Sequence, residues 1–264
     1  MAEFSGKVAI VTGGALGIGR ATARRLATED ASVVICSDRK EQVEEALTGL
    51  QEEGLAVSGT RADVTSSADM KRLMDFATET YGSVDVLVNS AGIQRYGTVV
   101  ETEEGAWDEV LNVNLKGIYL ASKHAIPEMR RRGGGAIVNL SSVQAFASQK
   151  GVAAYTASKG GINALTRAMA LDHAEENIRV NAVCPASVDT PMLRWSADLF
   201  RGDKSVEETV KDWGKMHPVG RVATTGEVAE VIAFLASERA SFVTGGDYKV
   251  DGGMLAALGV RLPE

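Results

Sequence analysis

Tyr155-Thr156-Ala157-Ser158-Lys159 sets a phenol and an ammonium four residues apart. Four residues is about one helical turn, so in a helix the two side chains share a face. An isolated tyrosine, with a pKa near ~10, is a poor base at neutral pH. A fixed positive charge beside it favours the phenolate. Bringing the phenol to about 7 requires ~3 pK units, roughly 4 kcal/mol of differential stabilisation. A close lysine, helped by a second cationic group, can supply that. Thirteen residues upstream lies Ser142, at the end of Gly135-Ala136-Ile137-Val138-Asn139-Leu140-Ser141-Ser142, whose hydroxyl can hold a substrate oxygen. The combination is a proton-transfer site aimed at an alcohol or a ketone. Alone, the Tyr–Lys spacing is a common coincidence of helix surfaces; its meaning rests on the rest of the chain.

Near the N-terminus runs Thr12-Gly13-Gly14-Ala15-Leu16-Gly17-Ile18-Gly19, a G-x-x-x-G-x-G pattern between a β-branched run and a helical one. Glycines let a backbone approach a pyrophosphate, and a helix N-terminus offers free N–H groups and a positive dipole end. Nineteen residues after Gly19 stands Asp38, at the end of the next β-branched run. A carboxylate there can accept hydrogen bonds from the ribose hydroxyls of an adenosine and would repel a 2′-phosphate. Two charges ~4 Å apart at an effective dielectric of about 20 interact by roughly 4 kcal/mol, an upper figure for a solvent-facing site. NAD is therefore expected ahead of NADP. Arg39 is the counter-argument, since a guanidinium can turn towards a 2′-phosphate. A simpler role for Asp38, as N-cap of the helix from Lys40, fits the same position.

The elements that must position these residues follow from hydrophobic patterning. Val8–Thr12, Val33–Ser37, Val57–Arg61, Val84–Asn89, Ala136–Ser141, Arg179–Cys184 and Asp247–Val250 read as strands. Helical patterns fall near 17–29, 40–53, 67–81, 103–131, 152–176 and 226–237. This alternation predicts an α/β fold: a doubly wound, seven-stranded parallel sheet with helices on both faces. No linker or repeat divides the chain, so one domain is expected over 1–264. From 186 to 220 no strand is predicted, only amphipathic pieces near 192–200 and 205–216. So long an excursion after a strand C-terminus reads as a substrate lid.

Composition narrows the function classes. The 264 residues are 45% hydrophobic and 24% charged, with a net charge of −7, which argues against a nucleic-acid or anionic-membrane surface. The basic run Arg130-Arg131-Arg132 before Gly133 fits a helix C-terminus. Cys36 and Cys184 lie in apolar runs and read as buried free thiols. His124, His173 and His217 lack metal-ligand spacing, and no metal is expected. No signal-peptide pattern or membrane-length apolar run is seen, so the cytoplasm is the expected compartment.

Glycine turn, Asp38, Ser142, Tyr155 and Lys159 in this order resemble the short-chain dehydrogenase/reductase family, in its compact single-domain form with a Rossmann-type fold. The resemblance spans essentially the whole chain. Asn89-Ser90-Ala91-Gly92 matches the family's Asn-Asn-Ala-Gly, with Ser90 for the second asparagine. Asp63-Val64 matches its adenine-binding pair. Asn112-Val113-Asn114-Leu115 contains the asparagine of its catalytic tetrad, placed at Asn114. Asn181-Ala182-Val183-Cys184-Pro185-Ala186 departs from the family's Pro-Gly at Ala186. Val188 and Thr190 match positions that touch the nicotinamide carboxamide, and Asp251-Gly252-Gly253 matches a C-terminal turn.

The resemblance implies an oxidoreductase passing a hydride between NAD(H) and a secondary alcohol or ketone. It implies Tyr155 as general base or acid, Lys159 lowering its pKa and gripping the nicotinamide ribose, Ser142 fixing the substrate oxygen, and Asn114 holding a relay water. It implies cofactor contacts from Gly13, Leu16, Gly17, Ile18, Gly19, Asp38, Arg39, Asp63, Val64, Asn89, Ala91, Gly92, Val188 and Thr190. It also implies a homo-oligomer, a tetramer ahead of a dimer, built on helices equivalent to 103–131 and 152–176, with Gly160-Gly161 allowing close approach. By family position the substrate meets Gln94, Gln144, Gln149, Ser187, Trp195 and His217. Their amides favour a sugar, polyol or other small polar alcohol. A 3-oxoacyl thioester or hydroxysteroid reductase is the alternative within the family, and a catalytically silent cofactor sensor or scaffold the alternative outside it.

Overall fold

The computed structural model describes residues 2–257; Met1 and 258–264, the ends of the expected domain, lie outside the described residues. Seven strands form one parallel sheet: β1 Val8–Thr12, β2 Ser32–Ser37, β3 Val57–Arg61, β4 Val86–Asn89, β5 Gly135–Leu140, β6 Ile178–Pro185 and β7 Asp247–Val250. Their spatial order is β3-β2-β1-β4-β5-β6-β7. Val11 of β1 lies opposite Ile35 of β2 on one side and Val88 of β4 on the other. The winding therefore reverses between β1 and β4, and the strand C-termini at such a reversal border a crevice.

Alternate residues of each strand serve opposite faces. Val11, Ile35 and Val88 pack with Leu26 of α1 (Gly17–Thr28), Leu50 of α2 (Lys40–Glu52) and Ile232 of α9 (Thr225–Ala236). Ile10, Val34, Leu87 and Ile137 pack with Leu73 of α3 (Ser67–Tyr81), Leu120 of α5 (Gly117–Arg132) and Met169 of α6 (Ala153–Asp172). Both faces are covered, which is why the strands read as continuous apolar runs rather than alternating ones.

Helix ends carry their signals. Ser66 caps α3 by accepting from the Asp69 N–H, and α5 ends at Gly133 (φ 87°) behind Arg130–Arg132. The helix expected over 103–131 is not continuous. It comprises α4 (Glu104–Leu111), a π-helical turn (Asn112–Lys116) in which the Gly117 N–H donates to the Asn112 carbonyl, and α5. The helix expected to reach 176 stops at Asp172 and tightens into a 3₁₀ turn ending at Asn177, whose backbone is left-handed (φ 57°).

The strandless excursion holds two helices, α7 (Pro191–Phe200) and α8 (Val206–Gly214). Thr190 caps α7, whose first residue is proline, and a Ser205/Glu208 capping box opens α8. Ala186 keeps ordinary backbone: among the described residues only Asp30 and Asn177 have positive φ without being glycine. The turn after β6 therefore needs no glycine. Cys36 and Cys184 are buried and free, and no described helix is long and apolar enough to cross a membrane.

Candidate active site

A cleft of about 910 Å³ opens along the C-terminal edge of β1, β2, β4, β5 and β6. Ser142, Tyr155 and Lys159 line it where β5 and α6 meet, and Asn114, the fourth residue of the expected tetrad, is buried outside the cleft wall. Ser142 follows β5; its hydroxyl accepts from the Gln144 N–H (3.1 Å) and donates to the Pro185 carbonyl (3.5 Å). Tyr155 and Lys159 share a face of α6, with Lys159 Nζ 5.3 Å from the phenol ring centre. The ammonium is buried and donates to the Leu140 carbonyl at the end of β5 (2.8 Å).

Asn114 sits in the π turn and is fully buried. Its Oδ1 accepts from the Ile93 N–H (2.8 Å), while its Nδ2 donates to the Ile93 carbonyl (3.0 Å) and to Ser158 Oγ (3.1 Å). Ser158 in turn donates to the Tyr155 carbonyl (2.7 Å). Asn114 thus ties the loop after β4 to the helix that carries Tyr155. Gly92 lies beside both Asn114 and Lys159: a Cβ there would sit in ordinary contact, 3.4 Å from Asn114 Oδ1 and 3.9 Å from Lys159 Nζ.

Among the protein's own groups, burial dominates the protonation of the pair. Burial pushes the Tyr155 phenol up to about 12; hydrogen bonding from Ser142 opposes this and Tyr96 adds to it. Burial pulls the Lys159 ammonium down to about 8. At neutral pH the pair is a neutral phenol beside a largely protonated lysine.

The other half of the cleft is built for an extended, partly anionic ligand. Gly13 has a positive φ (63°), and a Cβ there would come within 2.7 Å of Ala91 Cα. A Cβ on Gly19 would collide with the Gly13 carbonyl oxygen. The first turn of α1 has no side-chain cap and no acidic residue, so its N–H groups and positive dipole end face the cleft beside Leu16, Gly17 and Ile18. Thr12 Oγ1 accepts from the Ser90 and Ala91 N–H groups (3.2 and 3.4 Å), pinning this wall to β1. Asp38 lines the far end with Asp63 and Val64. It does not cap α2, whose N-cap is Arg39 without a side-chain bond. These residues fit a dinucleotide: glycine cradle for the pyrophosphate, carboxylate for a ribose.

Several expected contacts fall elsewhere. Arg39 and Gly19 are not part of the cleft wall. Asn89 is buried beneath it, donating to Asn139 Oδ1 (2.8 Å). Trp195 lies outside the cleft wall and stacks on Tyr96, with ring centres 5.7 Å apart. His217 turns away, its Nδ1 2.8 Å from the Asp251 carbonyl oxygen. Gln94, Gln144, Gln149, Ser187, Ala91, Gly92, Val188 and Thr190 do line the cleft. So do Tyr96, Met192, Leu193, Phe200, Trp213 and Met216, which the sequence reading missed. For all of these but Tyr96, the apolar faces of the two amphipathic lid pieces were the available signal.

Fold and site together define a nicotinamide-dependent oxidoreductase acting on CH–OH groups. A family model described as enoyl-(acyl carrier protein) reductase matches residues 13–255, and the chain belongs to the short-chain dehydrogenase/reductase family. It is 41% identical over 254 residues to the cis-4-hydroxycyclohexanecarboxylate dehydrogenase of Sinomonas cyclohexanicum, covering 96% of this chain and 98% of the relative. Its structure resembles that of the aldohexose dehydrogenase of Thermoplasma acidophilum in ligand-free form, with TM-score 0.92, 40% identity and coverage of 100% and 99%. It also resembles an actinorhodin polyketide ketoreductase variant with NADPH, with TM-score 0.91, 36% identity and coverage of 96% and 99%.

Proposed function

We propose that this chain oxidises a small polar secondary alcohol, or reduces the matching ketone, with NAD preferred over NADP. The observation that carries the reading is the gathering of Ser142, Tyr155 and Lys159 in the cleft between the glycine cradle and the lid, with buried Asn114 bonded to Ser158 of the same helix. The dinucleotide, when bound, supplies the hydride acceptor or donor. Tyr155 removes the proton of the substrate hydroxyl in oxidation and returns it in reduction. Ser142 holds the same oxygen. Lys159 favours the phenolate and grips the nicotinamide ribose, and Asn114 holds the water that joins Lys159 to solvent. Gly13, Leu16, Gly17 and Ile18 take the pyrophosphate, Asp38 the adenosine ribose, Asp63 and Val64 the adenine, and Val188 and Thr190 the carboxamide.

Asp38 in the cleft wall, with Arg39 outside it, supports NAD by repulsion of a 2′-phosphate. Gln94, Gln144, Gln149 and Ser187 in the wall support a sugar, polyol or similar alcohol, as does the likeness to an aldohexose dehydrogenase. Met192, Leu193 and Phe200 on the lid side favour a second reading, an alicyclic hydroxy acid of the kind named for the Sinomonas relative. The same proposal takes the chain as one domain with residues 186–220 as lid, working in a reducing cytoplasm. Its homotetramer would form through α4–α6, where Leu111, Leu115, Tyr119 and Leu165 border an apolar surface groove.

The test is turnover of NAD with a panel of sugars, polyols, hydroxy acids and hydroxysteroids. Tyr155→Phe is expected to abolish turnover while the dinucleotide still binds by calorimetry. Undiminished turnover in that variant would sink the assignment.

A further inference from the structure

One bond crosses the cleft from floor to lid. Tyr96, in the loop after β4, donates its hydroxyl to Ser196 Oγ of α7 (2.8 Å), and both residues line the cleft. Its ring meets Phe200 edge-on, with centres 4.7 Å apart and planes at 84°, and stacks on Trp195 at 29°. Ser196 is 5% exposed, and Tyr96 is its side chain's hydrogen-bond partner.

The floor side is rigid. Asn114 brackets Ile93 through both its N–H and its carbonyl. Arg95 makes a two-bonded pair with Glu109 of α4 (2.8 and 2.9 Å) and donates to the Gln94 carbonyl (2.9 Å). The Gly97 N–H donates to the Gly151 carbonyl (2.7 Å), just before the helix of Tyr155. The residues on either side of Tyr96 are thus fixed to the elements that carry Asn114 and Tyr155. On the lid side α7 is held at its N-terminus by the Thr190 cap and by Arg194 paired with Asp189 (2.7 and 2.9 Å). The middle and end of α7 meet the floor through the Tyr96 contacts.

We propose that Tyr96 is the specificity-determining residue of this site: its ring is the wall on which the substrate's carbon skeleton packs, and its hydroxyl, through Ser196, latches α7 across the cleft. The inference rests on the alcohol-dehydrogenase reading for the identity of the ligand, but the latch itself does not. A single hydrogen bond whose loss strands a buried hydroxyl corresponds to about a tenfold change in the closed–open ratio of α7.

The experiment has two arms. In the first, hydrogen exchange is followed over residues 194–200 in the unmodified chain, Tyr96→Phe, Ser196→Ala and the double variant. Each single change is expected to speed exchange about tenfold there and leave α1 unchanged, and the double variant to be no faster than either. Equal exchange in Tyr96→Phe and the unmodified chain, or additive effects in the double variant, would overturn the latch. In the second, kinetics are run with propan-2-ol, cyclohexanol and 4-tert-butylcyclohexanol as probes. Tyr96→Phe is expected to raise KM about tenfold with kcat changed less than twofold, and Tyr96→Ala to shift the preferred probe to the bulkiest. An unchanged order of preference in Tyr96→Ala would overturn the specificity role. If the unmodified chain oxidises no alcohol of any class, the functional reading falls, and the first arm still decides the latch.

Discussion

Replacing Lys159 by methionine removes a charge while keeping most of the side chain's length, and the structure sets the size of the effect. The ammonium lies 5.3 Å from the Tyr155 ring centre. At an effective dielectric of about 20, a unit pair at that separation interacts by about 3 kcal/mol, or roughly two orders of magnitude in the phenol's acidity. Burial is the largest of the causes that push that phenol up to about 12, so lysine covers only part of the distance to neutrality. Oxidation needs the phenolate, so a weaker acid moves the rising limb of the rate to higher pH. Lys159→Met is therefore expected to lower kcat at pH 7 about a hundredfold and to shift that limb alkaline by roughly two pH units. The assay is the pH dependence of kcat and kcat/KM for the best alcohol of the panel, with dinucleotide saturating. A limb that stays in place, or a loss under tenfold, would refute the electrostatic role and leave Lys159 only a binding residue.

Three further outcomes follow from the geometry. Asp38→Ala is expected to lower the NAD-over-NADP ratio of kcat/KM by more than tenfold; an unmodified enzyme that already prefers NADP would overturn the coenzyme claim. Gly13→Ala forces a side chain onto a φ of 63° and 2.7 Å from Ala91 Cα, and is expected to weaken dinucleotide binding at least tenfold by calorimetry; unchanged affinity would remove Gly13 from the cradle. Asp85 is 3% exposed and accepts from the Val8 N–H (2.9 Å), Ser83 Oγ (2.8 Å) and Arg132 Nε (3.1 Å). Asp85→Ala is expected to cost about 3 kcal/mol, roughly 6–12 °C in Tm by circular dichroism; a change below about 2 °C would show that these bonds contribute little.

The sheet was legible because parallel strands buried on both faces are predominantly apolar, so Val8–Thr12 was read at its observed bounds and Arg179–Cys184 within one residue of Ile178–Pro185 at each end. The four residues proposed for catalysis were picked out by motif, and three of them sit where local pattern alone puts them. Asn114 was legible only as a position. Its π turn depends on bonds to Ile93 and Ser158, 21 and 44 residues away in the chain, which no local periodicity encodes. The desolvation of Tyr155 and Lys159 was not legible for a similar reason: spacing reveals a charge nearby, but desolvation is set by everything that packs around the pair. Asn89 and His217 drew attention by residue type, yet one supports the cleft from beneath and the other faces the Gly252 turn. Tyr96 was invisible because its partner, Ser196, lies 100 residues on.

The π turn at Asn112–Lys116 holds one residue more than an α-helix would need over the same rise. Deleting a residue there would restore an unbroken i→i+4 ladder, and by ordinary helix criteria the result would look like an improvement. It would also rotate α4 by about 100° against α5. Because α5 is held in the core by Leu120, Ala121 and Met129, the swing would fall on α4, carrying Glu109 away from Arg95 and Asn114 away from Ile93. Stabilising this protein by regularising the α4–α5 junction would therefore give up activity for robustness, and a thermostabilisation campaign should treat these five residues as fixed.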